Sequence, residues 1–294
     1  MKKRFLRIIS GICALVCLLC GCDGGVGEVT PKDVVTDADT VRVMSFNICG
    51  WNYKKIKNLV PRLILEYSPD VIGLQECTYD WYQKLTKEMP DYEFVGAGRE
   101  NGKIDSDCGE MCAILFKKDK YTLVDSGTFW LSETPEQVSL GWDADYLRVC
   151  TWVILKDNES GEEFAHVNVH TENFDDGTGR EACEKGTQMV VEKGLSFDMP
   201  VIMTGDWNFE KDTDLYGIVT GAGFLDAQDA AESTMEGVTC PDADGSETGE
   251  HIDYIFINDR VASVSVYKIL HDSYDGQYPS DHYPIYADMK LWTK

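Results

Sequence analysis

The sequence predicts a single α/β domain that spans about residues 40–294. Three observations support this fold class: predicted strands and helices are interspersed, no second linker divides them, and no period of roughly 20 to 50 residues repeats. The chain has 294 residues, of which 43% are hydrophobic. This length is within the range of one large α/β domain, and the composition provides a sizeable core.

The first elements follow from local patterns. Alternation over residues 41–47 predicts a strand, and apolar residues at helical spacing predict a helix over 56–66. Pro61 lies inside that pattern, so the helix is either kinked or begins there. A short apolar strand is expected at 71–76 and a helix at 79–88.

Strands dominate the remainder of the chain. We predict strands at 92–96, 111–118, 121–131, 147–156, 163–170, 200–205, 252–257, 262–270 and 284–291, and helices at 179–194 and 212–220. Residues 233–250 are rich in Thr, Asp, Glu and Gly, and we expect a disordered solvent loop there rather than a second metal site.

The N-terminus is typical of a secretion signal. Residues 1–21 combine a basic start with an apolar run at 8–20 that is too short for a transmembrane helix. The segment ends in LCGC, which resembles a bacterial lipoprotein box and implies cleavage before Cys22 and a lipid on its thiol. Residues 22–39 then form a tether. The alternative is an uncleaved signal anchor. We therefore expect a secreted bacterial lipoprotein, held at the membrane surface by its lipid.

The chain is strongly acidic. Its formal charge is −24, and it becomes −28 in the mature chain because the signal segment contains four basic residues and no acid. Such a surface repels phosphate backbones and anionic headgroups at long range, which disfavours tight, general nucleic-acid binding. It does not exclude hydrolysis next to a cation, because a bound metal can reverse the local field.

Seven cysteines remain beyond the lipoprotein box, and none forms a Cys-x-x-Cys motif. A structural zinc site is therefore poorly supported. Cys49 and Cys150 lie in apolar runs that are typical of buried free thiols. A disulfide is possible outside the cell, but the sequence does not determine a pairing.

Polar residues end or flank six of the predicted strands. They are Asn47, Glu76, His170, the pair Asp206 and Asn208, Asp253, and the pair Asp281 and His282. Asp206 and Asn208 are two residues apart, so in strand geometry they point to the same face. One such residue is explained by a turn or a helix cap. Six together indicate a functional site at one edge of the scaffold.

The residue types indicate a reaction class. Carboxylate and amide oxygens suit a hard cation such as Mg²⁺, Mn²⁺ or Ca²⁺, and two histidines suit proton transfer near neutral pH. No Gly-x-Ser-x-Gly motif and no P-loop are present. The combination favours metal-assisted hydrolysis, most naturally of a phosphate ester.

An ordered set of motifs resembles the endonuclease/exonuclease/phosphatase superfamily. The motifs are MSFNI, GLQE, the GE at 109–110, NVH, TGDWN, HIDYIF and SDHYP, and the resemblance covers about residues 41–292. The superfamily includes DNase I-like nucleases, apurinic-site endonucleases, neutral sphingomyelinases, inositol polyphosphate 5-phosphatases and deadenylases. The resemblance implies a four-layer sandwich, the DNase I-like fold, with two mixed β-sheets packed face to face and helices on the outside.

The resemblance also implies roles for the site residues. Glu76 is the expected chief metal ligand, with Asn47 and Asp281 lining the same Mg²⁺ (or Mn²⁺) site. Asp206 and Asn208 are expected around the attacking water and the phosphate. Two carboxylate–imidazole pairs are implied, namely Asp253 with His282 and Glu110 with His170. Asn208 and His282 would contact the phosphate, as would Arg148, for which a surface salt bridge is the alternative.

The chain departs from many relatives after the first histidine. Thr171 and Glu172 stand where Leu and Asp are usual, and Trp207 replaces a usual Phe. The resemblance implies a divalent-metal-dependent hydrolase of phosphate esters, which we expect to be a monomer. A secreted nuclease and a sphingomyelinase-like phospholipid hydrolase are the alternatives within this class. A catalytically silent surface-binding module is the alternative outside it.

Overall fold

The structure, a computed structural model, describes residues 25–27, 29–174 and 178–292. Its strands are β1 Val41–Asn47, β2 Val71–Cys77, β3 Tyr92–Val95, β4 Met111–Lys117, β5 Tyr121–Trp130, β6 Val149–Asp157, β7 Glu163–His170, β8 Val201–Asp206, β9 Leu225–Asp226, β10 Ala231–Ser233, β11 Cys240–Pro241, β12 Gly249–Glu250, β13 Asp253–Ile257, β14 Ser263–Ile269 and β15 Ile285–Lys290. Its α-helices are α1 Tyr53–Ile56, α2 Leu59–Tyr67, α3 Tyr79–Glu88, α4 Arg180–Leu195, α5 Asp214–Gly221 and α6 Ala227–Ala230, and a 3₁₀ turn spans Gly50–Asn52.

Two mixed sheets contain most of these strands. The first has the order β10-β14-β15-β1-β2-β4-β3, and the second has the order β5-β6-β7-β8-β13-β9. In the first sheet β1 is parallel to β2 and antiparallel to β15. In the second, β8 is parallel to β7 and antiparallel to β13. The predicted pair of mixed sheets is therefore confirmed.

Three apolar clusters define the layers. The cluster between the sheets combines Val43 and Val71 of the first sheet with Val153 and Ile202 of the second. Alternate residues of the same strands point outwards, where α1, α2 and α3 cover the first sheet. Helices α4 and α5 cover the second sheet. The order helix, sheet, sheet, helix is the four-layer sandwich that the resemblance implied.

The helix predicted at 56–66 is divided in the structure. It consists of α1 and α2, and Pro61 is the third residue of α2. The first four N–H groups of a helix have no partner within it, so a proline costs little at that position. Pro61 therefore lies in the first turn of a new helix and does not kink a longer one.

The expectation of a disordered loop at 233–250 is wrong. The segment contains β11 and β12, which pair as an antiparallel hairpin. Thr239 is fully buried, and its Oγ1 accepts the backbone N–H groups of Ile252 and Asp253 at 3.1 and 3.0 Å. These long-range hydrogen bonds hold the loop against the start of β13.

Part of the predicted tether contacts the domain. Lys32 lies 2.7 Å from Glu66 and 2.6 Å from Asp272, and Asp33 pairs with Lys268. Residues 32 and 33 are therefore bound to the folded domain, which the composition of the segment did not indicate. Cys22 and the signal segment lie outside the described residues. Among the residues that the structure covers, no helix is long and apolar enough to cross a membrane.

All seven cysteines that follow the lipoprotein box are free in the structure. Cys49 and Cys150 are fully buried, as their apolar surroundings in the sequence predicted. Burial raises the pKa of the Cys150 thiol well above its usual value, which keeps the thiol protonated.

Candidate active site

Strands of both sheets bring the polar residues to one edge of the sandwich. Asn47 ends β1, and its neighbour in the parallel strand β2 is Gln75, the residue before Glu76. In the second sheet, Asp206 is paired with His170 of the parallel strand β7 and with Asp253 of the antiparallel strand β13. The carboxyl ends of parallel strands meet at the same sheet edge, so their last side chains converge.

Asn47 connects the two sheets at this edge. Its Nδ2 donates to Glu76 Oε1 at 3.1 Å and to Asp206 Oδ2 at 2.9 Å. Its Oδ1 accepts the backbone N–H of Cys49 at 3.1 Å. The amide is therefore fixed at both ends and holds two carboxylates close together.

Glu76 lies in an irregular part of β2. The pairing of β2 with β4 shifts between Leu74 and Cys77, and Glu76 has φ of 56°. This left-handed conformation is uncommon for a glutamate and carries local strain, which is a frequent property of functional sites. Glu76 Oε2 accepts the N–H of Gly50 at 2.9 Å. The bulge turns the carboxylate towards the cavity that the strand ends surround.

Asp253, His282 and Asp206 form a buried chain of ionisable groups. Asp253 Oδ2 is 2.8 Å from His282 Nδ1, and His282 Nε2 is 3.7 Å from Asp206 Oδ2. Burial opposes the charge on the imidazole, but the Asp253 and Asp206 carboxylates outweigh it and raise the pKa of His282 well above its usual value. His282 is therefore an imidazolium held between two carboxylates.

His170 has the opposite electrostatics. Its Nε2 is 3.4 Å from Asp206 Oδ2. Burial and the nearby charge of Arg148 lower its pKa well below the usual value. The two histidines flank the same carboxylate, one charged and one neutral.

Asp206 is at the centre of the site. Burial raises its pKa, His282 and Asn47 lower it, and the carboxylates of Asp253 and Glu76 raise it, with a net result of about 7. Its Oδ1 accepts the N–H of Asn208 at 3.2 Å. Asn208 has φ of 52°, which asparagine tolerates, and its Nδ2 donates to the carbonyl of Thr171 at 2.9 Å.

The predicted pairing of Glu110 with His170 is wrong. Glu110 Oε2 is 2.6 Å from Arg99 Nη1, and no hydrogen bond joins Glu110 to His170 in the part of the chain that the structure describes. The guanidinium is the stronger partner for a carboxylate, because the ion pair is charge-assisted and His170 is neutral. Glu110 still lines the cavity, as does Arg99, which sequence reasoning missed. Arg99 lies in a loop after β3 and belongs to no recognised motif.

Arg148 is not on the surface. It is 7% exposed, and its Nε and Nη2 face Glu172 at 3.4 and 3.3 Å. Glu172 is the acid at which the sequence departs from many relatives, and it also accepts the N–H of Tyr146 at 3.1 Å. The departure therefore provides a buried carboxylate that positions Arg148 and the chain beside it.

The structure does not bring Asp281 into this cluster. Its side chain is exposed, and Asp281 Oδ1 accepts from Ser280 Oγ at 3.1 Å. Asp281 is absent from the described residues that line the cavity, and its metal-binding role stays a prediction. Asp206, Asp253 and His282 have potential ligand atoms within 4.8 Å of one another. However, His282 Nδ1 is already used by Asp253.

The oxygen donors fit a hard divalent cation best next to Glu76 and Asp206. Asn47 holds both carboxylates, and their mutual repulsion contributes to the raised pKa of Asp206. A cation between such groups would relieve this repulsion, and carboxylate oxygens are the ligands that hard cations prefer. The donor set therefore fits the metal expected from the sequence.

An open cavity of about 550 Å³ lies over these groups. Glu76, His170, Asp206, Asn208 and His282 line it. Two aromatic residues stand at its margin, Trp51 with 76% and Tyr146 with 50% of its surface exposed. The cavity is large enough for a small phosphate ester.

The model of the endonuclease/exonuclease/phosphatase family matches residues 44–282. The chain belongs to this family. Its members are phosphoesterase hydrolases that generally use divalent metals. The matched region includes every candidate site residue described above from Asn47 to His282.

Solved structures of the family support the assignment. The endonuclease/exonuclease/phosphatase from Bacteroides vulgatus is 31% identical with a TM-score of 0.78, over 86% of this chain and 99% of that one. The mannosyl-6-phosphatase Bt3783 of Bacteroides thetaiotaomicron is 29% identical with a TM-score of 0.77, over 85% and 99% of the two chains. These similarities confirm the DNase I-like sandwich.

A curated relative is more distant. Nocturnin of Drosophila melanogaster is 26% identical over 286 residues, which include 82% of this chain. The match spans 42% of that protein's length. The similarity is therefore limited to less than half of that relative.

Proposed function

We propose that this protein hydrolyses small phosphate esters with the help of a divalent cation, Mg²⁺ or Mn²⁺. The observation that carries the proposal is the network in which Asn47 joins Glu76 to Asp206 while Asp253 holds His282 beside the same carboxylate. A family hydrolase with an intact network of this kind is poorly explained as a silent binding module.

The chain's own groups supply proton transfer and charge stabilisation. Asp206, with a pKa raised to about 7, is suited to accept the proton of the attacking water. The charged His282 faces the cavity and can donate a hydrogen bond to the developing phosphoryl oxyanion. Asn208 positions the phosphate, and the ester P–O bond breaks as the water oxygen bonds to phosphorus. A bound cation would polarise a phosphoryl oxygen at the Glu76 side of the cavity.

Sugar phosphates are the substrates that we propose to test first. The family member Bt3783, 29% identical over 85% of this chain, is a mannosyl-6-phosphatase. The cavity of about 550 Å³ can hold a ring of that size together with its phosphate. The net charge of −24 disfavours long duplexes as substrates.

A substrate screen tests the proposal. Hexose 6-phosphates, p-nitrophenyl phosphate, bis-p-nitrophenyl phosphate, sphingomyelin and DNA are each incubated with Mg²⁺, with Mn²⁺ and with EDTA. We expect small esters to be hydrolysed with either metal and not with EDTA. Faster hydrolysis of DNA or sphingomyelin would support the nuclease or the phospholipase alternative. No hydrolysis of any substrate would contradict the enzymatic proposal.

Metal binding at Glu76 is tested separately from activity. Glu76→Gln removes one charge from a hard-cation site, so calorimetric titration with Mg²⁺ or Mn²⁺ is expected to show an affinity about tenfold or more below wild type. Glu93→Gln, at an exposed position of β3, is the matched control and is expected to bind metal like wild type. Equal affinity in wild type and Glu76→Gln would remove Glu76 from the site.

We also propose that the protein is a secreted lipoprotein, anchored through Cys22, that works as a monomer near the membrane surface. The signal segment and its LCGC ending support the anchor.

A further inference from the structure

Two arginines lie close to one aromatic ring at the wall of the cavity. The guanidinium carbon of Arg99 is 5.5 Å and that of Arg148 is 5.4 Å from the centre of the Tyr146 ring. Both distances are within the range of cation–π contacts. Among the described residues that line the cavity, these two are the only arginines, and no lysine lines it.

Each guanidinium is braced by a carboxylate. Glu110 binds Nη1 of Arg99, and Glu172 faces Nε and Nη2 of Arg148. Such bracing reduces the rotamer freedom that a long side chain would lose on binding a ligand. The arginines are therefore preorganised.

The bracing leaves donors available. Nη2 of Arg99 and Nη1 of Arg148 have no hydrogen-bond partner among the residues that the structure covers. A guanidinium has five N–H donors in a fork that matches phosphate oxygens, so one carboxylate does not saturate it.

The pair lies next to the catalytic groups. The positive charges of Arg148 and Arg99 both contribute to the low pKa of His170, after burial. His170 is in turn 3.4 Å from Asp206. An anion bound by the arginines would therefore be close to the carboxylate that receives the proton of water.

We infer that Arg99 and Arg148, which both lie near the Tyr146 ring, form a subsite for the two charged oxygens of a phosphomonoester, and that the protein prefers phosphomonoesters to phosphodiesters. This inference rests on the proposed function and specifies its substrate class. A monoester carries close to two negative charges above pH 7, whereas a diester carries one. Two guanidiniums near the same ring match the dianion, and a diester's second organic group would occupy the position of one charged oxygen.

The experiment compares two esters in several variants. The kcat/KM values for p-nitrophenyl phosphate and bis-p-nitrophenyl phosphate are measured with Mn²⁺ for wild type, Arg99→Gln and Arg99→Lys. Arg260→Gln is the matched control, because Arg260 is exposed, pairs with Asp198 and does not line the cavity. Arg99 is preferred to Arg148 for the test, since loss of Arg148 would leave the buried Glu172 unpaired.

We expect wild type to favour the monoester and Arg99→Gln to lower the monoester-to-diester ratio of kcat/KM about tenfold, mainly through KM. Arg99→Lys is expected to be intermediate because it keeps the charge without the fork. Arg260→Gln is expected to match wild type. A ratio that Arg99→Gln leaves unchanged, or a wild type that prefers the diester, would overturn the inference.

Binding of inorganic phosphate separates this inference from the proposed function. Calorimetric titration is expected to show phosphate affinity about tenfold lower in Arg99→Gln than in wild type. If wild type hydrolyses none of the substrates in the screen, the proposed function fails, and the phosphate titration still decides the role of the arginine pair. Equal phosphate affinities in the two proteins would contradict that role.

Discussion

At the residue scale, Asp206 connects the parts of the site. One of its oxygens accepts from Asn47 and is near both histidines, and the other accepts the N–H of Asn208. Because burial and neighbouring carboxylates raise its pKa to about 7, a small change in its partners shifts its protonation at neutral pH. The effects of substitutions around Asp206 should therefore be coupled.

The pair of His282 and Asp253 gives the first prediction. His282→Ala is expected to reduce kcat by about two to four orders of magnitude with little change in KM, because the hydrogen bond strengthens in the transition state. Asp253→Asn is expected to cause a smaller loss. The double variant should lose far less than the product of the two losses, since both residues act through one imidazole.

Thermal melts and a control histidine accompany these rate measurements. His271→Ala changes an exposed histidine that does not line the cavity, and its kcat is expected to equal that of wild type. A merely structural His282 would instead lower the melting temperature and leave the rate per folded molecule unchanged. That result would refute the catalytic role.

At the element scale, a buried polar chain runs between the two sheets below the site. Asn168 Oδ1 accepts from Gln75 Nε2 at 2.7 Å and from Thr204 Oγ1 at 3.1 Å, and His166 Nε2 is 2.8 Å from Thr204 Oγ1. These bonds tie β2 of the first sheet to β7 and β8 of the second. The chain thereby fixes the spacing of the strand ends that carry the site.

Gly73 allows the two sheets to approach at this point. A Cβ on Gly73 would overlap Thr204 Oγ1 and lie 2.6 Å from Asn168 Oδ1. Gly73→Ala is therefore expected to lower the free energy of unfolding by about 1 to 3 kcal/mol. Gly217→Ala, in α5 with open space around it, is the control and is expected to raise stability by up to about 1 kcal/mol. Urea unfolding of both variants checks the prediction. Equal free energies of unfolding in Gly73→Ala and Gly217→Ala would disprove it.

His166 gives a prediction about pH. Burial lowers its pKa to about 3, against about 6.5 in the unfolded chain. Between these values the unfolded state binds a proton that the native state does not, so stability is full above pH 6.5 and is lost as the pH falls towards 3. His166→Gln removes the titratable imidazole, and the glutamine amide can still donate a hydrogen bond to Thr204.

Urea unfolding at pH 7 and pH 5 measures the effect. Wild type is expected to lose about 2 kcal/mol more than His166→Gln over this interval, because a full proton contributes about 1.4 kcal/mol per pH unit below 6.5. The other titratable groups are the same in both proteins, so their contributions to the free energy of unfolding cancel when the two losses are compared. Equal losses would mean that His166 is accessible to protons in the native state.

At the scale of the whole molecule, the net charge and the proposed lipid anchor bear on which substrates reach the site. The chain has a net charge of −24, which repels a long polyanion, and two arginines among the acidic residues that line the cavity offer a small anion a local partner. A lipid anchor would hold such an enzyme close to the membrane surface.

The anchor gives the last prediction. Cys22→Ser removes the thiol that the lipid would modify, and most of the protein is expected to move from the membrane to the soluble fraction. Cys20→Ser keeps the other three residues of the LCGC box and is expected to fractionate like wild type. Fractionation and the mass of the mature protein measure both variants. An unchanged pattern for Cys22→Ser would reject the lipoprotein proposal.

The sequence by itself predicted one α/β domain and the strand ends whose polar side chains gather at one edge. Apolar runs that end in Asn47, Asp206 or His170 locate strands and place their last side chains at one edge, because both properties depend on residues adjacent in the chain. The bounds of β7 and α3 were correct for the same reason. The family resemblance then supplied the packing of two mixed sheets between outer helices, which periodicity alone does not give.

Only the tertiary structure determined which charged groups pair. Glu110 contacts Arg99 rather than His170, Glu172 faces Arg148, and Asp281 points to solvent. Likewise, Thr239 orders a segment whose composition predicts disorder. Such pairings depend on distances between side chains from different elements and on how far burial removes each charge from water. Local sequence patterns fix neither quantity, since both arise when the sheets pack.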